Sequence, residues 1–217
     1  MRNKFDEQLD LLNDSLIEMG NLVEGSINAA ITALLEQNID LAKRVVEGDR
    51  DINEKEKEIE TGCLRLILRQ QPVAKDLRLV SAALKMITDM ERIGDQAQDI
   101  AEITIRLEKQ TYIKELVHIP QMAHETTKML RSSIDAFVKR DIDYLVKVIQ
   151  NDDIVDGLFN TIKDELVDII IENIEHSEQA IDLLMIAKYL ERIGDHSQNI
   201  AEWAYFAITG QHYSGPK

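Results

Sequence analysis

Cysteine, proline and aromatic residues are scarce in this chain and positive charge is outnumbered by negative, and these features close off several classes of protein. One cysteine, Cys63, rules out an intramolecular disulfide framework and fits a reducing compartment. Three prolines and nine glycines in 217 residues leave few chain breakers, and the abundance of Leu, Ile, Ala, Glu, Lys and Asp favours long helices with almost no strand. No apolar run reaches the length of a membrane span, so direct membrane insertion is not expected. The N-terminus has no apolar segment after its basic residues, which argues against a secretory signal and for a cytoplasmic protein. Lys and Arg number 25 against 40 Asp and Glu, giving a formal net charge of -15. A nucleic-acid backbone is therefore an unsuitable partner, whereas cations and basic protein surfaces are suitable ones.

What the chain does have is a duplication. Glu91-Arg92-Ile93-Gly94-Asp95 returns 100 positions later as Glu191-Arg192-Ile193-Gly194-Asp195. Earlier segments repeat at a spacing of 103, where Met19 matches Met122, Ile39 matches Ile142 and Asp49 matches Asp152. Within each copy the apolar positions keep helical steps of three and four: Leu9, Leu12, Leu16, Met19 and Val23, then Met86, Met90, Ile93, Ala97 and Ile100. Asn38 or Asp40 offers an N-cap for a second helix reaching about Arg69, and Pro72 breaks the chain before a third helix running to about Lys109. Residues 111–120 read as a linker. The expected architecture is all-α, two tandem three-helix bundles with six long helices, divided at residues 1–110 and 118–210.

The chemistry expected of this plan lies on its acidic rows. At 100° per residue, Glu91, Asp95, Gln98 and Glu102 fall opposite the apolar stripe, and Glu191, Asp195, Gln198 and Glu202 copy them. Asp49, Asn53, Glu56 and Glu60 share one face of the second helix, with Asp152 and Asp156 as the later counterparts of the first two. Asp49 lies 23 residues before Pro72 and Asp95 lies 23 after it, so an antiparallel hairpin brings them level. Carboxylates converging from neighbouring helices suit hard cations such as iron, manganese, magnesium or calcium, and also take zinc. A solvated face is the ordinary meaning of such a row. Against that, residues 84–102 and 184–202 are identical at 10 of 19 positions, compared with 7 of 38 between 19–56 and 122–159, so the row has diverged less than packing alone requires. Gly94 and Gly194 inside helices each cost roughly 0.8–1 kcal/mol relative to alanine, and the close approach of a helix or of a ligand would account for them. His196 follows Asp195 but corresponds to Gln96, so it reads as an incidental surface histidine.

These residues are similar to a known family. The run from Arg69 to Val80, with Gln70-Gln71-Pro72 at its head, and the doubled Glu-Arg-Ile-Gly-Asp motif closely resemble the PhoU family of phosphate-uptake regulators over essentially the whole chain. The resemblance implies a cytoplasmic homodimer that links a phosphate ABC transporter to a sensor histidine kinase and restrains the phosphate-starvation response. It also implies carboxylate-bound multinuclear clusters of iron, zinc or manganese. Carried onto this chain, the implied ligands are Asp49, Asn53, Glu91, Asp95, Asp99, Asp152, Asp156, Glu191, Asp195 and Asn199. A regulator rather than an enzyme is expected, since no phosphate loop, nucleophile elbow or Glu-x-x-His pair is present. A metal-dependent phosphohydrolase or oxidase is the alternative, and a plain scaffold the third reading.

Overall fold

The computed structural model describes residues 2–108 and 110–215, and among them every regular element is helical. Three helices form the first unit: α1 (Arg2–Glu36), α2 (Ile39–Gln70) and α3 (Lys75–Arg106). The second comprises α4 (His118–Lys139), α5 (Ile142–Gln150), α6 (Asp152–Glu172) and α7 (Ser177–Thr209), with a single 3-10 turn at Ile174–His176. Helices α5 and α6 together stand where α2 stands in the first unit. They meet at Asn151, whose side chain favours caps and turns over helix interiors. The predicted pair of three-helix bundles is therefore the observed fold. Lys109, the expected end of the third helix, lies outside the described residues.

Helix boundaries follow local chemistry. Asn38 accepts a hydrogen bond from the Leu41 amide at 3.0 Å, and Asp141 accepts one from the Tyr144 amide at 3.0 Å, so equivalent side chains start α2 and α5. Gln71 closes α2 in the left-handed region at φ 47°, and Pro72 turns the chain toward α3. One boundary departs from expectation: Pro120 belongs to the first turn of α4 rather than to the linker. First-turn amides have no acceptor within their helix, so a residue without an N–H fits there at no loss.

The two units share one continuous core. Leu16, Met19, Val23 and Ile27 of α1, Met86, Met90, Ile93 and Ile100 of α3, and Ile186, Leu190, Ile193 and Ile200 of α7 are all fully buried in it. Helices α3 and α7 form the most extensive helix pair, and α1 meets α4 beside them. Asp89 reaches Asn199 at 3.4 Å, Asp99 faces Tyr189, and Arg106 bonds Asp182 at 3.0 Å, so each advance along α3 is an equal retreat along α7. That antiparallel register sets Gly94 level with Gly194. Cys63 sits in this core, and burial pushes its thiol up to about 12, which removes it as a nucleophile.

Candidate functional site

Gly94 marks where α2 crosses α3. A Cβ there would stand 3.1 Å from Ile52 Cδ1 and 3.3 Å from Asp49 Oδ1, so the missing side chain is what lets Asp49 lie against the backbone of α3. Gly194 does the same for the second unit, with Val155 Cγ1 at 3.1 Å and Asp152 Oδ1 at 3.3 Å from the equivalent point. Of the two explanations for the helical glycines, the neighbouring helix is the one the structure displays, and in both units that neighbour presents a carboxylate.

Around Asp49 the first site gathers its acids. Asp49 is buried, and Oδ1 has no hydrogen-bond partner, while Oδ2 accepts from the Asn53 amide at 2.6 Å. Burial raises the Asp49 carboxyl above the usual carboxylate range, Asp95 raises it further, and the Asn53 bond opposes both. Burial likewise raises Glu91, with Asp95, Glu56 and Asp49 adding to the effect against the opposing charge of Arg92. Glu56 is raised by burial and by Glu60, with Asp95 contributing. Arg92 bridges the pair on α3, 2.9 Å from Asp95 Oδ2 and 3.5 Å from Glu91 Oε2.

The second site is a variation on the first. Burial raises Asp152 to about 6, followed by Asp195, Asp156, Asp153 and Glu191. Asp195 is raised by burial and by Glu191. Lys188 forms an ion pair with Glu191 while its ammonium lies 5.5 Å from the Phe159 ring centroid. Asp156 remains exposed on the rim.

The predicted residues thus divide into groups. Asp49, Asn53, Glu91 and Asp95 come together at the α2–α3 crossing, and Asp152, Asp156, Glu191 and Asp195 at the α6–α7 crossing. Asp99 and Asn199 sit instead in the α3–α7 seam, Asp99 facing Tyr189 and Asn199 bonded to Asp89. Asp99 still feels Asp95, after burial and Glu102. The acidic row does not point fully away from the core: Glu91, Asp95 and Gln98 are half-buried, because α2 covers the flank that helical periodicity by itself leaves open. His196 is not incidental, since its Nδ1 lies 2.8 Å from Asp89 Oδ1 across the two units. Its partner is 107 residues away, which helix periodicity does not report. Lys188 also belongs to the second site, and its i,i+3 spacing to Glu191 is the local signal for it. Among the described residues no group of three or more His, Cys, Asp or Glu side chains is arranged, as it stands, to hold a metal ion. The donor chemistry nonetheless suits a cation, since a buried carboxylate oxygen without a partner and several carboxyls raised by burial and then by one another's charge are what a cation relieves.

Comparison with known proteins places the chain in a family. Residues 16–104 and 119–204 each match the PhoU domain. The chain is 36% identical over 210 residues to the phosphate-specific transport system accessory protein PhoU of Escherichia coli K12, covering 97% of this chain and 87% of that one. It is 37% identical over 211 residues to the PhoU homolog of Clostridium acetobutylicum, covering 97% and 96%. The crystal structure of PhoU from Pseudomonas aeruginosa superposes with a TM-score of 0.90 at 35% identity, covering 95% of this chain and all of that one. The phosphate transport system regulatory protein PhoU of Streptococcus pneumoniae does so with a TM-score of 0.90 at 27% identity, covering 97% and 99%. With both repeats matched and nearly the full length aligned, this chain belongs to the PhoU family.

Proposed function

We propose that this protein is a non-enzymatic regulator of phosphate uptake, an accessory to a phosphate ABC transporter that also contacts a sensor histidine kinase from the cytoplasmic side. Support for the transport role comes from relatives named as accessory or regulatory proteins of phosphate transport. No helix among the described residues is long and apolar enough to cross a membrane. A rigid two-unit helical body with a net charge of -15 suits a docking role toward basic surfaces, and a homodimer would present its sites twice.

The observation that carries the metal part is the orphaned Asp49 Oδ1 over Gly94, repeated in place by Asp152 over Gly194. Asp49, Glu91 and Asp95, with Glu56 beside them, would hold one set of iron, zinc or manganese ions. Asp152, Asp156, Glu191 and Asp195 would hold the other. A bound cation would draw these carboxyls back to their ionised forms and supply positive charge to a surface that otherwise repels phosphate.

The decisive test expresses the chain in bacteria lacking their own PhoU and follows a phosphate-starvation reporter. Repression in high phosphate is expected from the unaltered chain, with loss of repression and of bound metal in a Glu91→Ala, Asp95→Ala double variant. Normal repression by a metal-free double variant would remove the metal part. Failure of the unaltered, folded chain to repress would remove the regulatory reading itself.

A further inference from the structure

Away from both acidic sites, a groove of about 400 Å³ opens between α1 and α4, with Tyr144 of α5 at one end. That volume lies within the range of small-molecule pockets, roughly 300–1,000 Å³. Its floor is α4, where His124, Lys128 and Arg131 follow at steps of four and three and so form a ladder on one face. In a chain of net charge -15 such a grouping of basic side chains in one recess stands out.

A second feature points the same way. Thr127 lines the groove, is 9% exposed, and its hydroxyl has no hydrogen-bond partner. The other hydroxyls of α4 are engaged: Thr126 donates to the Ala123 carbonyl, Ser133 to the Met129 carbonyl, and Ser132 pairs with Tyr144 at 2.9 Å. Buried hydroxyls are ordinarily satisfied, and one left free beneath a basic ladder is a donor waiting for an acceptor. The groove is not uniformly basic. Glu24 lies 3.8 Å from Arg131 and Glu125 lies 3.1 Å from Lys128, so each cation already faces one carboxylate, and Asp135 bonds Lys139 at 3.2 Å. Asp135, Asn28 and the Ser132–Tyr144 pair thus make the other end a place for hydroxyl groups rather than for a second anion.

We infer that this groove binds a phosphate monoester of a hydroxylated small molecule. The phosphoryl oxygens meet His124, Lys128, Arg131 and the Thr127 hydroxyl, and the carbohydrate portion lies toward Asp135 and Tyr144. Arg131 supplies the planar fork that suits a phosphoryl group and Lys128 a point charge. The inference deepens the proposed regulatory role by giving it a direct ligand, separate from the acidic sites.

Calorimetric titration of the full-length, chelator-treated protein at low salt tests it, with ribose 5-phosphate, AMP, inorganic phosphate and ribose as probes. Ribose 5-phosphate or AMP is expected to bind at least about tenfold more tightly than inorganic phosphate, and ribose not at all, about tenfold being what one good polar interaction confers. The exposed Arg131→Ala and Lys128→Ala changes should each weaken binding about tenfold or more without moving the melting temperature. Thr127→Val should weaken it and Thr127→Ser restore it, while Asp49→Asn and Asp152→Asn leave it unchanged. The assignment is overturned if no phosphorylated probe binds at millimolar concentration, if inorganic phosphate binds as tightly as the esters, or if the Arg131→Ala, Lys128→Ala double variant binds normally. Absent binding with phosphate-dependent repression intact removes this inference alone. Intact binding with no repression removes the regulatory reading alone.

Discussion

Asp49 over Gly94 and Asp152 over Gly194 occupy equivalent places in the two units, yet their surroundings differ at a few positions that decide their chemistry. Where the first unit has Asn53, whose amide donates to Asp49, the second has Asp156, whose charge repels Asp152. Where the first has Glu56 beside Asp95, the second has Phe159, against which Lys188 lies while neutralising Glu191. The backbone crossing is held in common, because a glycine and an aspartate are all it needs. Charge is set separately in each unit by side chains one or two helical turns away. A duplicated site can therefore keep its framework while its two copies drift apart in proton and cation affinity.

The strongest way to break the comparison is to fill the crossing. Gly94→Leu and Gly194→Leu should each destabilise the protein by about 2–3 kcal/mol in urea unfolding, since Ile52 and Val155 already stand at contact distance. The alanine variants should cost far less, because regaining roughly 0.8–1 kcal/mol of helix propensity offsets the crowding. A mild effect of leucine in one unit alone would show that the two crossings are not equally tight.

Metal titration ranks next. Iron, manganese or zinc should stabilise the fold by about 2.7 kcal/mol at a hundredfold excess over Kd, which a rise in melting temperature would report. Lys188→Ala should strengthen binding in the second unit by freeing Glu191, and Arg92→Ala should do the same in the first. Competition assays with a chelating dye would read both, and unchanged affinity in both variants would remove the metal assignment.

Proton linkage sharpens the comparison further. The unfolded Asp152 carboxyl titrates near its usual 3.8, and the folded one near 6. In chelated protein its contribution is therefore fully present below about 4, where both states hold the proton, and is lost as pH rises to about 6, because the unfolded chain releases its proton first. Discounted for the solvent that still reaches the group, the loss is on the order of 1 kcal/mol. Asp156→Asn should reduce it by copying the first unit, and Asn53→Asp should enlarge the corresponding loss at Asp49. Urea midpoints between pH 4 and 7 check both. The smallest effect belongs to the link between units. Asp89→Asn removes the negative charge facing His196 and should cost about 0.5 kcal/mol, as partly exposed pairs do.

Much of this was legible in the residues. The apolar steps of Leu12, Leu16 and Met19 and of Met86, Met90 and Ile93 predict buried faces, and all six residues are buried in the structure. Symmetric spacing about Pro72 predicts that Asp49 meets α3 beside Asp95, and it does. Illegible were the contacts of α3 with α7. Asp89 with His196, Asp99 with Tyr189 and Asp182 with Arg106 join residues far apart in sequence, and nothing in the period of either helix states which partner will lie alongside. The Thr127 groove was hidden for the same reason, since a free hydroxyl is defined by what fails to approach it.

By itself, then, the sequence determined the helices, their buried stripes, the duplication and the acidic character of the third helix of each unit, because these depend on interactions within a few residues. The tertiary structure alone decided that the acidic rows are half-covered, that both glycines admit an aspartate from the neighbouring helix, and that the two units share one core. Those outcomes depend on which helix surfaces meet and how closely, a matter of shape across long chain separations.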